Sequence, residues 1–276
     1  MVRGTLASVN LKTAGVIHYY QFESFGSLPG VEHGIFARHG GVSPAPFASL
    51  NMAVSTGDAR DNVRQNRERA FQALGRDPAS VADLWQVHSA EVVVAEAPRG
   101  ALEHLGKADA LVTDRPEVTL FLRFADCVPI MLYDPRRKAA GLVHAGWKGT
   151  LLKAPAQAVR VMAQRYGCRP ADLWAGIGPS IGPCHYAVGP EVVALVRQAF
   201  PGADELLLPV DGTTHLDLWA ANARALREAG VEAAQIEIGQ LCTACRPEEF
   251  YSHRAEGGQT GRFGAVIGLR AGHAEN

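Results

Sequence analysis

Val128-Pro129-Ile130-Met131-Leu132-Tyr133, then Asp134-Pro135-Arg136-Arg137-Lys138, then Ala139-Ala140-Gly141-Leu142-Val143-His144 reads as strand, turn and strand. Two apolar runs joined by a short charged turn with a proline form a hairpin, so the sheet is antiparallel or mixed at this point. Upstream, Glu91–Ala95, Ala110–Thr113 and Val118–Phe124 are further β-rich runs, and Asp61–Leu74 predicts an amphipathic helix. Val63, Ala70, Phe71 and Leu74 fall near one face of that helix, and Gly75 follows as its natural stop. Downstream, the pattern predicts a helix from Gly149 to about Arg165, a strand Leu173–Ile177, and a helix opening with Pro190. A helix over Leu218–Glu228 and strands near Gln235–Ile238 and Gly264–Leu269 complete the series. Hairpins and helices interleave without strict βαβ alternation, which predicts an α+β fold with mixed sheets rather than a doubly wound one. No repeat or low-complexity linker interrupts the chain, so residues 1–276 are expected to form a single domain.

The 276 residues are 47% hydrophobic, with 27 Lys+Arg against 28 Asp+Glu. That supports a sizeable core and leaves no basic footprint, so nucleic acid is not an expected partner. No run of 18 consecutive apolar residues occurs, and the N-terminal MVRGTLASVNLKTAGVIHYY lacks an apolar segment followed by a cleavage site. A soluble, cytoplasmic protein with no membrane partner is expected. Five cysteines without an export signal read as thiols rather than a disulfide framework.

Chemistry concentrates in Ala125-Asp126-Cys127-Val128-Pro129 and His144-Ala145-Gly146-Trp147-Lys148-Gly149-Thr150. The hairpin places Cys127 and His144 at the same end of neighbouring strands, and Trp85-Gln86-Val87-His88 offers a second imidazole. Separations of 39 and 17 residues match no short ligand pattern, so several readings stand side by side. His88, Cys127 and His144 can form a His₂Cys metal site with one open position. Cys127 can be a nucleophile with His144 as its base, or a buried apolar thiol beside satisfied histidines. A His₂Cys set also suits copper, with Met131 as a candidate axial ligand.

Gly146-Trp147-Lys148-Gly149 leads from strand to helix, where backbone N–H groups and a lysine can meet phosphate. Gly176-Ile177-Gly178-Pro179-Ser180-Ile181-Gly182-Pro183 has the wrong glycine spacing and too few N–H donors for a dinucleotide loop. It reads as a rigid pocket wall carrying Cys184, His185 and Tyr186. Cys242-Thr243-Ala244-Cys245 has no second C-x-x-C, so a structural zinc there needs histidines from elsewhere, and the pair reads as two reduced thiols. The zinc-deaminase pattern is excluded, because Leu241 stands where its proline belongs and no H-x-E precedes the cysteine pair. Arg38-His39-Gly40-Gly41-Val42-Ser43 and Ser252-His253-Arg254 set arginines in turn-prone segments that suit anions.

Taken in order with Ser49-Leu50-Asn51, Ala108-Asp109-Ala110-Leu111-Val112-Thr113 and Thr260-Gly261-Arg262, these blocks make the chain resemble the YfiH family. That family is also described as multicopper polyphenol oxidoreductase (laccase) or peptidoglycan editing factor. The resemblance spans nearly the whole chain. It implies a layered α/β/β/α sandwich, similar to that of bacterial deamidating toxins, and a metal, usually zinc, on His88, Cys127 and His144. It further implies phosphorolysis of adenosine, inosine and methylthioadenosine, with adenosine deamination as a second activity. Purine nucleoside and phosphate are then the partners. The alternatives are a peptidoglycan-precursor editing hydrolase and a copper-dependent polyphenol oxidoreductase. A multicopper oxidase needs histidine-rich clusters, whereas the ten histidines here are scattered singly. Asp126 is the candidate acid/base or histidine-orienting group beside Cys127. Arg38, Asn51, Gln86, Lys148 and Arg254 stand as candidate substrate contacts.

Overall fold

A computed structural model describes residues 9–270. Part of the N-terminal stretch read for an export signal, residues 1–8, lies outside the described residues. The chain opens with β1 (Val9–Ala14), β2 (Ile17–Phe22), the short α1 (Glu23–Gly26) and β3 (Val31–Phe36). Then come α2 (Arg60–Ala73), β4 (Val81–Ala82), β5 (Val92–Val94), β6 (Ala110–Thr113), β7 (Thr119–Phe124), β8 (Val128–Asp134) and β9 (Ala139–Ala145). The second half contains α3 (Trp147–Leu151), α4 (Ala154–Tyr166), β10 (Trp174–Ile177), α5 (Pro190–Ala199), β11 (Leu207–Val210), β12 (Thr213–Leu216), α6 (Leu218–Glu228), β13 (Ile236–Ile238) and β14 (Phe263–Leu269).

Two six-stranded mixed sheets, ordered β1-β2-β3-β14-β7-β4 and β13-β10-β8-β9-β6-β5, stack face to face. Strand alternation sets their cores. Leu120, Leu122 and Phe124 of β7 meet Met131 and Tyr133 of β8 and Ala140 and Leu142 of β9 between the sheets. Residues of the opposite parity, Val128, Ile130 and Leu132, pack with Val143 against Ala158 and Met162 of α4 and Leu226 of α6. On the far side of the first sheet, Phe121 and Val266 pack against Ala70 and Phe71 of α2. The layers therefore run α/β/β/α, as the resemblance implied.

The expected hairpin is present, with Val128 opposite Ala145 and Pro129 opposite His144. The helix predicted from Gly149 to Arg165 is two helices. Lys153 adopts a left-handed conformation (φ 54°) between α3 and α4, and Pro155 lacks the N–H and the room needed to continue the helix from Leu151. β1 to β3 and the β11–β12 hairpin were not read from the sequence. The latter turns on Asp211-Gly212, both at positive φ, the signature of a type I′ turn. Among the described residues, no helix is long and apolar enough to cross a membrane.

Candidate metal centre and its two cavities

Cys127 directly precedes β8, and His144 is the penultimate residue of β9, so the hairpin register brings them to one end of the sheet stack. His88 lies in the connection between β4 and β5, at a φ of 60°. The donor atoms of His88, Cys127 and His144 all lie within 4.8 Å of one another. Cys127 Sγ is 3.9 Å from His88 Nε2, and the two imidazoles meet edge to face with centroids 5.0 Å apart. Phe124, at the end of β7 in the facing sheet, packs 5.4 Å from the His144 ring.

Asp109 organises the set. It precedes β6, opposite His144, whose backbone N–H donates to the Asp109 carbonyl at 2.7 Å. Its fully buried carboxylate contacts His144 Nδ1 at 2.8 Å, leaving Nε2 for a metal, and accepts backbone N–H bonds from Val87, His88 and Ser89 at 3.2, 3.0 and 2.6 Å. One carboxylate thus orients one candidate ligand ring and shapes the loop that carries another. Burial opposes its charge, yet the bonds from His144 and Ser89 hold its pKa down at about 2. Burial likewise opposes a thiolate at Cys127, but His144 and His88 bring that pKa down to about 6. Burial lowers the His144 pKa, and Cys127 with Asp109 more than offsets this, raising it to about 9. A soft anionic donor flanked by two imidazoles suits a borderline cation such as zinc.

Gly146 leaves the space that the set occupies. A Cβ there would stand 2.8 Å from Cys127 Sγ and 3.1 Å from His88 Cδ2, while its backbone at φ −71° accommodates any residue. Gly146→Ala is therefore expected to lower metal affinity by about 10- to 100-fold through displacement of these two ligands. Competition with a chromophoric chelator measures this, and wild-type affinity would contradict the cradle.

Two cavities meet at the ligand set. One, of about 340 Å³, is lined by Trp85, Arg123, His144, His253 and Arg262, among others. The other, of about 260 Å³, is lined by Asp126, Trp147, Ile181, Tyr186 and Arg254, among others. His88, Cys127 and His253 line both.

The structure redistributes several predicted roles. The carboxylate that contacts the His144 ring is Asp109, not Asp126. Asp126 instead accepts from Thr243 Oγ1 and from the Arg254 backbone N–H, both at 2.7 Å, and ties loops to the second cavity. Arg254 lies at that cavity with its guanidinium 5.2 Å from the Tyr186 ring. Gln86 lines the first cavity, but its amide pairs with Arg123, donating to the carbonyl at 2.8 Å and accepting from the N–H at 3.0 Å.

Arg38, Asn51 and Lys148 line neither cavity. Arg38 clamps the carbonyls of Ala48 and Pro247 and pairs with Glu256 at 3.1 Å. Asn51 is fully buried and donates to Ala53, Thr56 and Asp58. Lys148 lies over the Trp147 ring, on an α3 of only five residues. Met131 is buried between the sheets, which removes it as an axial ligand. Tyr186 and Ile181 do form a cavity wall, as the Gly/Pro loop predicted. Arg123, Arg262 and His253 were not singled out as site residues, although Arg262 and His253 sit in motif blocks quoted for their polar character.

The family model described as multi-copper polyphenol oxidoreductase laccase matches residues 32–270. The chain is similar to a protein named purine nucleoside phosphorylase from Deinococcus radiodurans, with 41% identity covering 87% of this chain and 89% of that one. It is also similar to purine nucleoside phosphorylase YlmD from Geobacillus stearothermophilus, at 39% identity over 87% and 91% of the two chains. The crystal structure of YlmD from that organism superposes with a TM-score of 0.89 at 35% identity, covering 96% of this chain and all of that one. The crystal structure of Bacillus licheniformis YfiH superposes with a TM-score of 0.88 at 35% identity, over 94% and 99% of the chains.

Proposed function

The chain belongs to the YfiH family, described as multi-copper polyphenol oxidoreductase laccase, and on that premise we propose that it is a purine nucleoside phosphorylase. It converts adenosine, inosine and methylthioadenosine with inorganic phosphate into the free base and a ribose 1-phosphate, and deaminates adenosine to inosine as a second activity. The observation that carries this is the position of His88, Cys127 and His144 where two cavities of unlike lining meet. The relatives named purine nucleoside phosphorylase support it.

His88, Cys127 and His144 would hold zinc, with copper the competing ion. A metal bound there supplies a Lewis acid with one open position. Trp147 and Tyr186 present aromatic faces to a purine in the second cavity. Arg123, Arg262 and His253 line the first, where their nitrogen-bearing side chains suit phosphate. In phosphorolysis a phosphate oxygen bonds to the ribose anomeric carbon as the bond to the purine nitrogen breaks. The electron pair leaves on the base, which takes up a proton. Both substrates are solutes of the cytoplasm, where we place the enzyme. Polyphenol oxidation by several coppers fits less well, because the two donor groups found among the described residues contain at most two histidines each.

Incubating the purified chain with adenosine, with and without phosphate, and separating the products by chromatography tests this directly. Adenine and ribose 1-phosphate formed only with phosphate are the expected products, with inosine marking deamination. Adenosine left intact in both conditions by folded, metal-loaded protein would overturn the assignment.

A further inference from the structure

β10 and β13 are adjacent parallel strands, and the loops leaving their carboxyl ends run side by side. Ser180 N–H donates to the Leu241 carbonyl at 3.1 Å and Thr243 N–H to the Ser180 carbonyl at 3.0 Å. This pairing brings Cys184 and His185 of one loop against Cys242 and Cys245 of the other, and all four donor atoms lie within 4.8 Å of one another. From these four residues we propose a second metal site, a closed Cys₃His centre for structural zinc, separate from the set at Cys127 and independent of the activity assigned above.

The spacing of the donors carries the assignment. Zinc–sulfur bonds of about 2.3 Å and zinc–nitrogen bonds of about 2.0 Å in a tetrahedron put sulfurs about 3.8 Å apart and sulfur about 3.5 Å from nitrogen. Cys184 Sγ and Cys245 Sγ are 3.5 Å apart. His185 Nδ1 lies 3.3 Å from Cys184 Sγ, 3.3 Å from Cys245 Sγ and 3.8 Å from Cys242 Sγ. A disulfide requires sulfurs at about 2.05 Å, and all five cysteines are free thiols.

The surroundings fit a thiolate centre. The Gly182 N–H donates to Cys242 Sγ at 3.2 Å, a bond that favours the deprotonated sulfur. Gly182 also has no room for a side chain, since a Cβ would stand 3.1 Å from Cys242 Cβ, 3.3 Å from Cys184 Sγ and 2.7 Å from the Trp219 ring. Four protein donors leave no open position, which is the structural way of holding zinc. The isolated C-x-x-C of the sequence thus finds its missing partners as an adjacent Cys-His pair across the loop. The centre would pin the wall of the second cavity, because the same loops carry Ile181 and Tyr186 and reach Asp126 through Thr243.

Native mass spectrometry after zinc loading and desalting reads the stoichiometry. Two ions are expected on the wild-type chain, one on Cys127→Ala, one on the Cys184→Ser/Cys245→Ser double variant, and none on the triple combination. Cobalt loaded into Cys127→Ala is expected to show the thiolate charge-transfer and tetrahedral ligand-field bands of a three-cysteine site. Alkylation of the wild-type chain followed by peptide mapping needs no variant. Cys184 and Cys245 are exposed, so they are expected to react without zinc and to be protected with it. A Cys127→Ala chain that binds no zinc, Cys184 and Cys245 alkylated equally with and without zinc, or a disulfide among these cysteines in the reduced preparation would overturn the site.

Discussion

Cys127→Ala is expected to lower kcat/KM for adenosine phosphorolysis by about a thousandfold or more, with loss of the metal held by His88 and His144. Lewis-acid stabilisation is worth several kcal/mol, and each 1.4 kcal/mol is about tenfold in rate. Two imidazoles without the thiolate hold zinc weakly. The thiol could instead act as a nucleophile paired with His144, a role consistent with its lowered pKa. Cys127→His separates the two roles, because an imidazole is also a zinc ligand but removes the thiolate without supplying the carboxylate nucleophile used at anomeric carbons. Metal retention with partial activity is the expected outcome, measured by metal analysis and steady-state kinetics together. Metal retention with activity as low as in Cys127→Ala would contradict the ligand role.

Asp109→Asn is expected to weaken metal binding by about 10- to 100-fold and to destabilise the fold by about 3 kcal/mol. Either amide orientation turns an NH₂ group toward N–H donors, since the carboxylate oxygens between them accept from Val87, His88, Ser89 and His144. Asp109, itself outside the donor set, thereby controls two of the proposed ligands. The pH dependence carries a defined sign in the metal-free chain. Because the folded carboxyl is held at about 2, its contribution is fully present above the unfolded pKa of about 4 and is lost as pH falls through 2. Urea midpoints across that window should slope for the wild type more steeply than for Asp109→Asn. Equal slopes and unchanged metal affinity would contradict this role.

Much of this arrangement was legible in the chain. The hairpin announced itself because β8 and β9 are buried on both faces and joined by a turn rich in charge, so pattern and tertiary context agree. That register alone brings Cys127 to His144. β1 was not legible, being an edge strand exposed along most of its length and therefore free of the alternation that marks a half-buried strand. Asp109 stood in a quoted motif, yet nothing local distinguishes a buried carboxylate that gathers N–H bonds from a solvated one. Arg38 and Asn51, which line neither cavity, show the complementary difficulty. Polar residues in Gly-rich segments serve ligands and loop architecture alike, and only the bonds of Arg38 to Ala48 and Pro247 and of Asn51 to Asp58 decide between them. The Cys₃His cluster was half visible as a C-x-x-C, its partners lying about 60 residues away and joined only by the β10–β13 pairing.

Reconstitution tests the central claim most directly. The wild-type chain is stripped with a chelator, its metal content measured, and phosphorolysis of adenosine followed as zinc is returned, with Cys127→Ala treated in parallel. Activity that disappears on stripping and returns with zinc in the wild type alone is the predicted result. Undiminished phosphorolysis by chain verified free of metal would contradict a catalytic metal on His88, Cys127 and His144.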